Sequence, residues 1–558
     1  MARPVASWCM RRALATVLTL GLLSSFVFAV VVGLMLAFGT VSLAIAIALV
    51  VLFNFGMLLV SPRINDFVYR YLYDMEWVDL AEFRERSPAS ARVIEEVTAE
   101  YGYDTPKLGL IADRNPNAFT YGSARFNARV VLTEGCFEYL DDEEVASVVA
   151  HELGHVTSRD FIVMTLANTL VQVLYLVAVY AWRFGAATGS GSGGGRNRAA
   201  PILFGVAILA YVLWFFGEYI VLYLSRVREY AADGFAARWT HPDALSSALV
   251  KIAYGIVTSE DSPELAKATR NIGIMDVANS RDDGLVYHNV REAGGDEDLL
   301  LRSFLYDLKN PWARVLELNS THPLTGKRVR ALSRMEGASR FDFADILSRF
   351  EIDRGRMYRG FFKDVGMLAL PGLLAVGYPL LYLGSVLVEA VAFSWFWLAG
   401  GWLAAFGVGQ VALALYKYPR SASEPTTVIE ALADPYASPV RGQPVELDGA
   451  LIGRGQAGYR FSEDLMFQDR TGLMYLKYES WLPLLGNFLF ALRRVPELIG
   501  EEVEVEGWFL RGTGPWVGMR RLRHGDETIR GFIHYGGLVS GALLLVVGLA
   551  VVGAGAVL

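Results

Sequence analysis

The stretch His151-Glu152-Leu153-Gly154-His155 holds two of the chain's seven histidines and decides how the rest of the sequence is interpreted. Residues four apart share one face of an α-helix, so the two imidazoles can bind one metal ion together. The glutamate between them is not a ligand in this pattern, but it can take a proton from a water at the metal. This His-Glu-x-x-His arrangement is typical of zinc hydrolases and predicts a helix that carries a catalytic zinc site.

The residues before this motif predict the helix that it requires. Asp141 suits the N-cap position, and Glu144, three residues further on, completes a capping box. Val145, Val148 and Val149 then recur at the i, i+3, i+4 spacing of a buried helix face. We therefore expect a helix that begins at the acidic turn and continues through both histidines.

A third zinc ligand is expected, because a catalytic zinc usually has three protein ligands and leaves one position to water. The run 225–233 looks like the continuation of an apolar helix, and it places Glu229 and Asp233 on one face. Glu229 is the candidate ligand, and Asp233 could accept the free N–H of a ligating imidazole. His322 and His288 are the next candidates. The alternative is a surface helix whose arginines and acids pair with each other.

Two longer segments of the chain resemble a known family. Val149-Ala150-His151-Glu152-Leu153-Gly154-His155 and Ser225-Arg226-Val227-Arg228-Glu229-Tyr230-Ala231-Ala232-Asp233 are similar to motifs of the HtpX and CAAX prenyl protease family of membrane zinc metalloendopeptidases. Three shorter matches agree, namely Asn117-Ala118-Phe119, Arg159-Asp160, and Thr321-His322-Pro323 with Arg328 beyond it. The resemblance covers about residues 1–335.

The resemblance implies a role for each matching residue and one Zn²⁺ per chain. The implied zinc ligands are His151, His155 and Glu229, with Glu152 as the catalytic base, His322 and Arg328 as catalytic helpers, Asp233 and Asp160 as supports of the ligands, and Asn117, Ala118 and Phe119 in the substrate groove. In this reading His322 donates a hydrogen bond to the oxyanion, and Arg328 supports His322 or Glu229. One departure is visible, because Thr120 and Tyr121 follow the strand motif where the family usually has small residues.

Long apolar runs make the chain too hydrophobic for an ordinary soluble protein, with 53% hydrophobic residues and a mean hydropathy of +0.33. Residues 13–60 carry no charge and are long enough for two spanning helices, which we interpret as an anchor rather than a signal peptide. Further runs lie at 161–182, 201–224, 365–388, 390–416 and 532–558, so seven transmembrane helices are expected. Glu218 interrupts the run 201–224, either as a functional residue or as a hydrogen-bonded acid near the interface.

The positive charges predict the orientation. Arg3, Arg11 and Arg12 place the N-terminus in the cytoplasm. Counting spans then places the segments 61–160, 225–364 and 417–531 on the cytoplasmic side as well. The loop 183–200 would face outwards although it carries three arginines, which locally violates the rule. We expect a multi-pass plasma-membrane protein whose catalytic and C-terminal soluble domains face the cytoplasm.

The expected fold class is a polytopic α-helical membrane protein with a mainly α zinc-metalloprotease domain and a small C-terminal β-barrel. The expected parts are an N-terminal hairpin (1–60), the protease domain (61–335), a juxtamembrane linker (336–364), a second hairpin (365–416), a soluble β-rich domain (417–531) and a last transmembrane helix (532–558). The protease domain includes the transmembrane helices at about 161–182 and 201–224.

The C-terminal soluble domain shows the alternation of strands. Residues 445–449, 465–469, 474–478 and 503–507 alternate in this way between glycines, a pattern that resembles a small OB-type barrel. The domain has no cluster of histidines and cysteines and no basic stripe, so neither chemistry nor nucleic-acid binding is expected of it. Substrate capture, regulation and docking of a protein partner all remain open as its role.

The preferred function is a membrane-embedded zinc endopeptidase that acts on peptide or membrane-protein substrates. The resemblance implies quality control of damaged membrane proteins, and processing of prenylated CAAX peptides is the alternative within the same class. An intramembrane protease is disfavoured, because acidic residues precede the motif and Ser158-Arg159-Asp160 follow it. A non-catalytic membrane scaffold that presents the barrel is the alternative from another class, and such a structural site would normally have four protein ligands.

Overall fold

The computed structural model describes residues 43–114, 116–189, 199–258, 297–339, 343, 348–454, 462–512 and 515–557. In chain order its helices are α1 (Leu43–Leu72), α2 (Leu80–Arg86), α3 (Pro88–Tyr101), α4 (Glu134–Tyr139), α5 (Asp142–Thr157), α6 (Asp160–Gly189), α7 (Ala199–Trp239), α8 (Pro242–Thr258), α9 (Glu297–Lys309), α10 (Pro311–Leu318), α11 (Thr325–Leu332), α12 (Arg354–Leu387), α13 (Trp395–Lys417), α14 (Val428–Leu432), α15 (Pro483–Leu489), α16 (Val495–Leu498) and α17 (Tyr535–Val557). Its strands are β1 (Met75–Val78), β2 (Lys107–Ile111), β3 (Ala118–Gly122), β4 (Ala128–Thr133), β5 (Glu424–Pro425), β6 (Gln443–Arg454), β7 (Leu465–Asp469), β8 (Gly472–Lys477), β9 (Glu502–Arg511), β10 (Pro515–His524) and β11 (Glu527–Arg530).

Six of the described helices are long and apolar enough to cross a membrane, namely α1, α6, α7, α12, α13 and α17. The seventh helix that we expected falls on residues before Leu43, outside the described residues. Helix α1 continues through Pro62 to Leu72. It therefore ends beyond residue 60, where the uncharged run stops.

The chain divides into two units, and the first holds the described residues up to 258 together with 317–339. Its sheet has the strand order β1-β2-β4-β3, with β2 and β4 parallel and the other pairs antiparallel. Helices α3 and α5 pack against each other, and their apolar side chains join those of the sheet in one core that includes Ile94, Val130 and Leu153. Strand β3 therefore lies at an edge of the sheet, beside α5.

The capping box that the sequence predicts at the start of α5 is confirmed. The Asp141 carboxylate accepts a hydrogen bond from the Glu144 backbone N–H at 2.9 Å, and the Glu144 carboxylate accepts one from the Asp141 N–H at 2.9 Å. Glu144 also accepts from Lys251 Nζ at 2.6 Å, and from the Ser247 hydroxyl. These bonds attach the first turn of the motif helix to α8.

The length of α7 explains how a membrane helix reaches the motif. Its 41 residues span about 60 Å, which is about twice the hydrocarbon thickness of a bilayer. The last turns of α7 therefore extend beyond the apolar part and pack against α5. At the crossing, a Cβ on Gly154 would lie 3.2 Å from Ala232 Cα and 3.3 Å from Phe235 Cβ, so the glycine permits the close approach of the two helices.

The second unit holds the described residues 297–316, 343 and 348–557. Its strands pair in a ring, in which β6 pairs with β7, β7 with β8, β8 with β10, β10 with β9, and β9 with β6. The β8–β10 pair is parallel, and the other four pairs are antiparallel. The C-terminal segment is therefore a sheet domain, as the alternation predicted.

Three apolar helices of the second unit pack closely through glycines. A Cβ on Gly407 of α13 would lie 2.6 Å from the Gly541 carbonyl oxygen of α17, and one on Gly400 would lie 2.7 Å from that of Gly548. A Cβ on Gly409 of α13 would lie 2.5 Å from the Cα atom of Pro371 in α12. Small residues at such crossings let membrane helices gain packing energy that lipid does not provide.

Candidate metal centre and active site

The structure brings His151, His155 and Glu229 together as a group that could hold a metal ion, with their ligand atoms within 4.8 Å of one another. The two Nε2 atoms of the histidines lie 3.2 Å apart. Glu229 Oε2 lies 3.4 Å from His151 Nε2, and Glu229 Oε1 lies 3.5 Å from His155 Nε2. Among the residues that the structure describes, no other group of three or more His, Cys, Asp or Glu side chains has such a geometry.

These separations fit a tetrahedral zinc site. Donors about 2.0–2.1 Å from a tetrahedral zinc lie about 3.3 Å from one another. The three measured separations of 3.2, 3.4 and 3.5 Å match that value. Glu229 Oε2 is buried and makes no hydrogen bond to a described residue, as expected of an atom that needs a cation. Two imidazoles and one carboxylate are also the ligand set of known catalytic zinc sites.

Each histidine of this group has a carboxylate behind its other ring nitrogen. Asp233 Oδ1 lies 3.0 Å from His151 Nδ1, and Asp160 Oδ2 lies 2.7 Å from His155 Nδ1. Such carboxylates fix the tautomer of the ring and increase the basicity of the nitrogen that faces the metal. Arg228 Nε lies 2.9 Å from Asp160 Oδ2 and balances its charge.

Arg328 contacts the carboxylate behind His151. Its guanidinium binds Asp233 at two points, with Nη2 2.6 Å from Oδ1 and Nε 2.9 Å from Oδ2. We expected this arginine to support His322 or Glu229, and the sequence did not predict its pairing with Asp233. Both side chains are 1% exposed, so the pair is shielded from water.

The protonation of His151 is governed by its neighbours. Burial alone would lower its pKa, but the carboxylates of Asp233 and Glu229 outweigh this effect and raise the pKa to about 9. In the metal-free protein His151 therefore holds a proton at neutral pH. A metal ion that binds here must displace that proton.

Glu152 lies on α5 beside this group but is not a member of it. It is 1% exposed, and its Oε2 atom makes no hydrogen bond to a described residue. Burial raises the pKa of its carboxyl group. A carboxyl group with a raised pKa beside a metal centre is suited to accept and return a proton near neutral pH.

His322 is placed next to the third ligand. Its Nε2 lies 3.7 Å from Glu229 Oε2, and its Nδ1 lies 3.0 Å from the Thr321 hydroxyl oxygen. The turn that carries it is held by Arg226, which donates to the carbonyl oxygens of Glu317 and Ser320, each at 2.8 Å. Arg226 lies within one of the matching motifs, but neither its spacing nor the resemblance indicates this role.

The expected groove residues lie at the start of the edge strand. Asn117 precedes β3, and its backbone N–H donates to the Thr133 hydroxyl at 2.8 Å. Ala118 and Phe119 are fully buried, and the Phe119 ring lies 4.9 Å from that of Tyr69. Among described residues β3 has one ladder partner, β4.

Two further candidates of the sequence analysis are His288 and Glu218. His288 lies outside the described residues. Glu218 is exposed on α7, and its Oε1 accepts a hydrogen bond from Trp214 Nε1 at 3.1 Å. This contact favours the interpretation of Glu218 as a hydrogen-bonded acid over its interpretation as a functional residue.

Comparison with known proteins shows similarity over the part of the chain that carries this site. The model of peptidase family M48 matches residues 85–336, which include every site residue named above. A protein named Protease HtpX homolog from Sulfurovum sp. (strain NBC37-1) is 32% identical over 219 residues, which cover 37% of this chain and 75% of the relative. Its namesake from Methanothermobacter thermautotrophicus is 30% identical over 253 residues, covering 45% of this chain and 88% of the relative.

A further relative with the same name, from Burkholderia mallei (strain SAVP1), is 31% identical over 294 residues, covering 51% of this chain and 86% of the relative. Among solved structures, the crystal structure of S. mikatae Ste24p matches with a TM-score of 0.37 and 16% identity. That match covers 58% of this chain and 65% of the Ste24p chain.

Proposed function

Because the chain belongs to peptidase family M48, we propose that this multi-pass membrane protein is a zinc-dependent endopeptidase. One observation carries the proposal, namely the convergence of His151, His155 and Glu229 with Glu152 beside them. The group has three members among the described residues, which leaves a coordination position for water, as in catalytic rather than structural zinc sites. This count argues against the scaffold alternative.

The residues of the chain supply the remaining parts of a hydrolytic mechanism. Zn²⁺ bound by the three side chains would act as a Lewis acid that activates a water and polarises the scissile carbonyl. Glu152 accepts the proton of the attacking water and then passes it to the leaving amine. The peptide C–N bond is thereby replaced by a C–O bond and an N–H bond.

His322 and Arg328 have different roles in this proposal. Thr321 can donate its hydroxyl proton to His322 Nδ1, so that the tautomer with a proton on Nε2 faces the centre. From there Nε2 can donate to the oxyanion that develops on the substrate carbonyl. Arg328 is a positioning residue, because it acts on His151 through Asp233. Because His322 contacts the oxyanion and is not a zinc ligand in this proposal, His322→Phe should lower kcat and leave the zinc content unchanged.

Strand β3 is the proposed substrate-binding edge. An extended peptide can add to an edge strand through main-chain hydrogen bonds, and β3 lies beside the helix that carries the motif. Asn117, Ala118 and Phe119 would then define the groove. Because the Ala118 and Phe119 side chains are buried, recognition there would use the backbone, with little selection among side chains. This fits an endopeptidase with broad specificity, such as one that removes damaged membrane proteins.

We propose that the active site faces the cytoplasm of the cell. This orientation rests on the arginines before the first apolar run and on the span count. Two single variants, Glu96→Cys and Ser192→Cys, test the orientation. Each is made in a protein in which Cys9→Ser leaves Cys136 as the one native cysteine. Glu96 is exposed in the structure, and Cys136 is buried. A thiol reagent that does not cross membranes should label Cys at 192 in intact cells, and Cys at 96 after lysis; the reverse pattern refutes the orientation.

The second unit gives the protease a further module. The closed ring of strand pairs and the helices between β8 and β9 support an OB-type barrel. We propose that it serves substrate capture or regulation. Deleting residues 426–558 should leave zinc binding and cleavage of a short peptide nearly unchanged while cleavage of membrane substrates falls.

The zinc requirement can be tested by removal and return of the metal. Peptide cleavage by the detergent-purified full-length protein should be lost on dialysis against EDTA and restored by one equivalent of Zn²⁺. Restoration by magnesium, or full activity after the metal has been removed to undetectable levels, would contradict the proposal.

A further inference from the structure

The second unit contains a cavity whose location in the membrane can be inferred. The cavity has a volume of about 520 Å³ and is lined partly by the first turns of α12 and the last turn of α13. The 34 residues of α12 span about 51 Å, which is well beyond the roughly 30 Å of a hydrocarbon core. Its uncharged stretch begins after Asp364, so we expect the turn that carries Lys363 and Asp364 at the depth of the lipid headgroups, with the first turns extending into water.

Three cations line this cavity, namely Arg356, Lys363 and Arg441. Among the described residues, no carboxylate lies within ion-pair distance, 4.0 Å, of any of them. Arg356 instead lies 4.5 Å from the centre of the Tyr436 ring, and Lys363 lies 5.3 Å from that of Tyr416. Aromatic faces hold a cation in place but do not use its hydrogen-bond donors.

The two acids of the cavity already have hydrogen-bond donors. Asp364 is buried, and its oxygens accept from Tyr416 at 2.6 Å, Ser438 at 2.7 Å and Trp312 at 3.0 Å. Asp434 Oδ1 accepts from the backbone N–H of Tyr436 at 2.8 Å. The three cations therefore exceed the two carboxylates. Arg441 Nη2 donates to the Tyr436 carbonyl oxygen at 3.3 Å, but the charge of each cation is not neutralised by an ion pair with a described residue.

We propose that this cavity binds the phosphate group of an anionic ligand, and that the arginines Arg356 and Arg441 together with Lys363 hold its oxygens. Guanidinium groups bind phosphate oxygens at two points, and basic pockets between membrane helices recognise lipid headgroups. The cavity volume is that of an ordinary small-ligand site and accommodates a glycerophosphate headgroup. The source of the phosphate is an anionic phospholipid or a soluble phosphoester.

Native mass spectrometry of the full-length protein in neutral detergent tests this inference. The protein is titrated with short-chain phosphatidylglycerol, with phosphatidylcholine of equal chain length, and with glycerol 3-phosphate. Saturable binding of phosphatidylglycerol, weaker binding of phosphatidylcholine and no binding of glycerol 3-phosphate would assign the site to lipid. Equal affinity for glycerol 3-phosphate and phosphatidylglycerol would assign it to a soluble phosphoester. Equal binding of the two lipids would overturn the proposal that the cavity recognises an anionic ligand, because phosphatidylcholine carries the same phosphate but no net charge.

Matched variants connect the binding to the cavity. Arg356→Gln, Lys363→Gln and Arg441→Gln should each weaken binding about tenfold, since each removes one charge-assisted contact. Arg354→Gln is the control, because Arg354 is an exposed cation on the same helix that does not line the cavity. Lys363 is also exposed, so its replacement should not impair folding, which an unchanged melting temperature would verify. Wild-type affinity in folded Lys363→Gln and Arg356→Gln proteins would overturn the assignment.

Discussion

Arg328 and Asp233 form a buried ion pair between residues 95 positions apart, and the same carboxylate lies 3.0 Å from His151 Nδ1. The pair therefore connects α11 to α7 and, through His151, to α5. A buried charge is tolerated when its partner neutralises it, and removal of one partner leaves the other unpaired in a medium of low polarity. We therefore expect the stability of this unit and the orientation of His151, a proposed zinc ligand, to depend on this contact.

Arg328→Met should destabilise the protein by about 3 kcal/mol, because Asp233 would remain buried without its main cation. The measurement is denaturant unfolding in detergent with EDTA present. The double variant Arg328→Met/Asp233→Leu should regain most of this loss, since no unpaired charge remains, but should bind zinc about 10- to 100-fold more weakly. Lys327→Met, at the neighbouring and more exposed position, is the control. Equal stability of Arg328→Met and wild type would refute a structural role for the pair.

Gly154→Val should weaken zinc binding, because a side chain at this position would push α7 and Glu229 away from the motif helix. Overpacking of this kind costs about 1–3 kcal/mol, which corresponds to about thirtyfold in affinity at the middle of that range. Gly205→Val is the matched control, since a Cβ at Gly205 on α7 meets nothing within 4 Å. Isothermal titration with zinc in the presence of a competing chelator measures both. The account fails here if the two variants bind zinc equally well.

The raised pKa of His151 predicts how pH affects the metal-free protein. A histidine whose folded pKa is above its ordinary value contributes stability that is fully present below pH 6.5 and is lost as the pH rises through about 9. The free energy of unfolding of the metal-free protein should fall across this window. Zinc affinity should rise by about tenfold per pH unit, because each zinc displaces one proton.

Thermal unfolding of EDTA-treated and zinc-loaded protein between pH 6.5 and pH 9 checks this prediction. The stabilisation by zinc should grow with pH. In Asp233→Asn, which lacks a carboxylate that raises the His151 pKa, the dependence should move to lower pH. A pH-independent zinc effect in the wild-type protein would show that His151 is not protonated in the metal-free state.

Local features of the site were predictable from the sequence. The Asp141–Glu144 capping box follows from residues three apart, and the shared face of Glu229 and Asp233 follows from helical spacing. The strands β6 to β9 were also predictable from local spacing, because apolar and polar residues alternate along them. Strand β10 was missed, since charged residues at 520, 521 and 523 obscure its alternation.

Features that depend on distant segments meeting were not predictable. Nothing near Arg328 in the sequence indicates Asp233, and nothing near Gly154 indicates that α7 crosses there. Arg226 supports the turn of His322 across more than 90 positions. Three of the four strands of the first unit show the same limit, because only Asn117-Ala118-Phe119, at β3, indicated a strand before the motif. These contacts are set by tertiary packing, which one sequence does not display.

The measurement that tests the central claim most directly compares Glu152→Gln with the wild-type protein for both zinc content and turnover of a peptide substrate. Both quantities are taken from the same detergent-purified preparation, with Glu229→Ala as a variant that should lose zinc. Because glutamine has the shape of glutamate but cannot accept the proton, Glu152→Gln should retain one zinc per chain and lose about 10²- to 10⁴-fold in kcat. Wild-type turnover by the zinc-loaded Glu152→Gln protein would contradict the account.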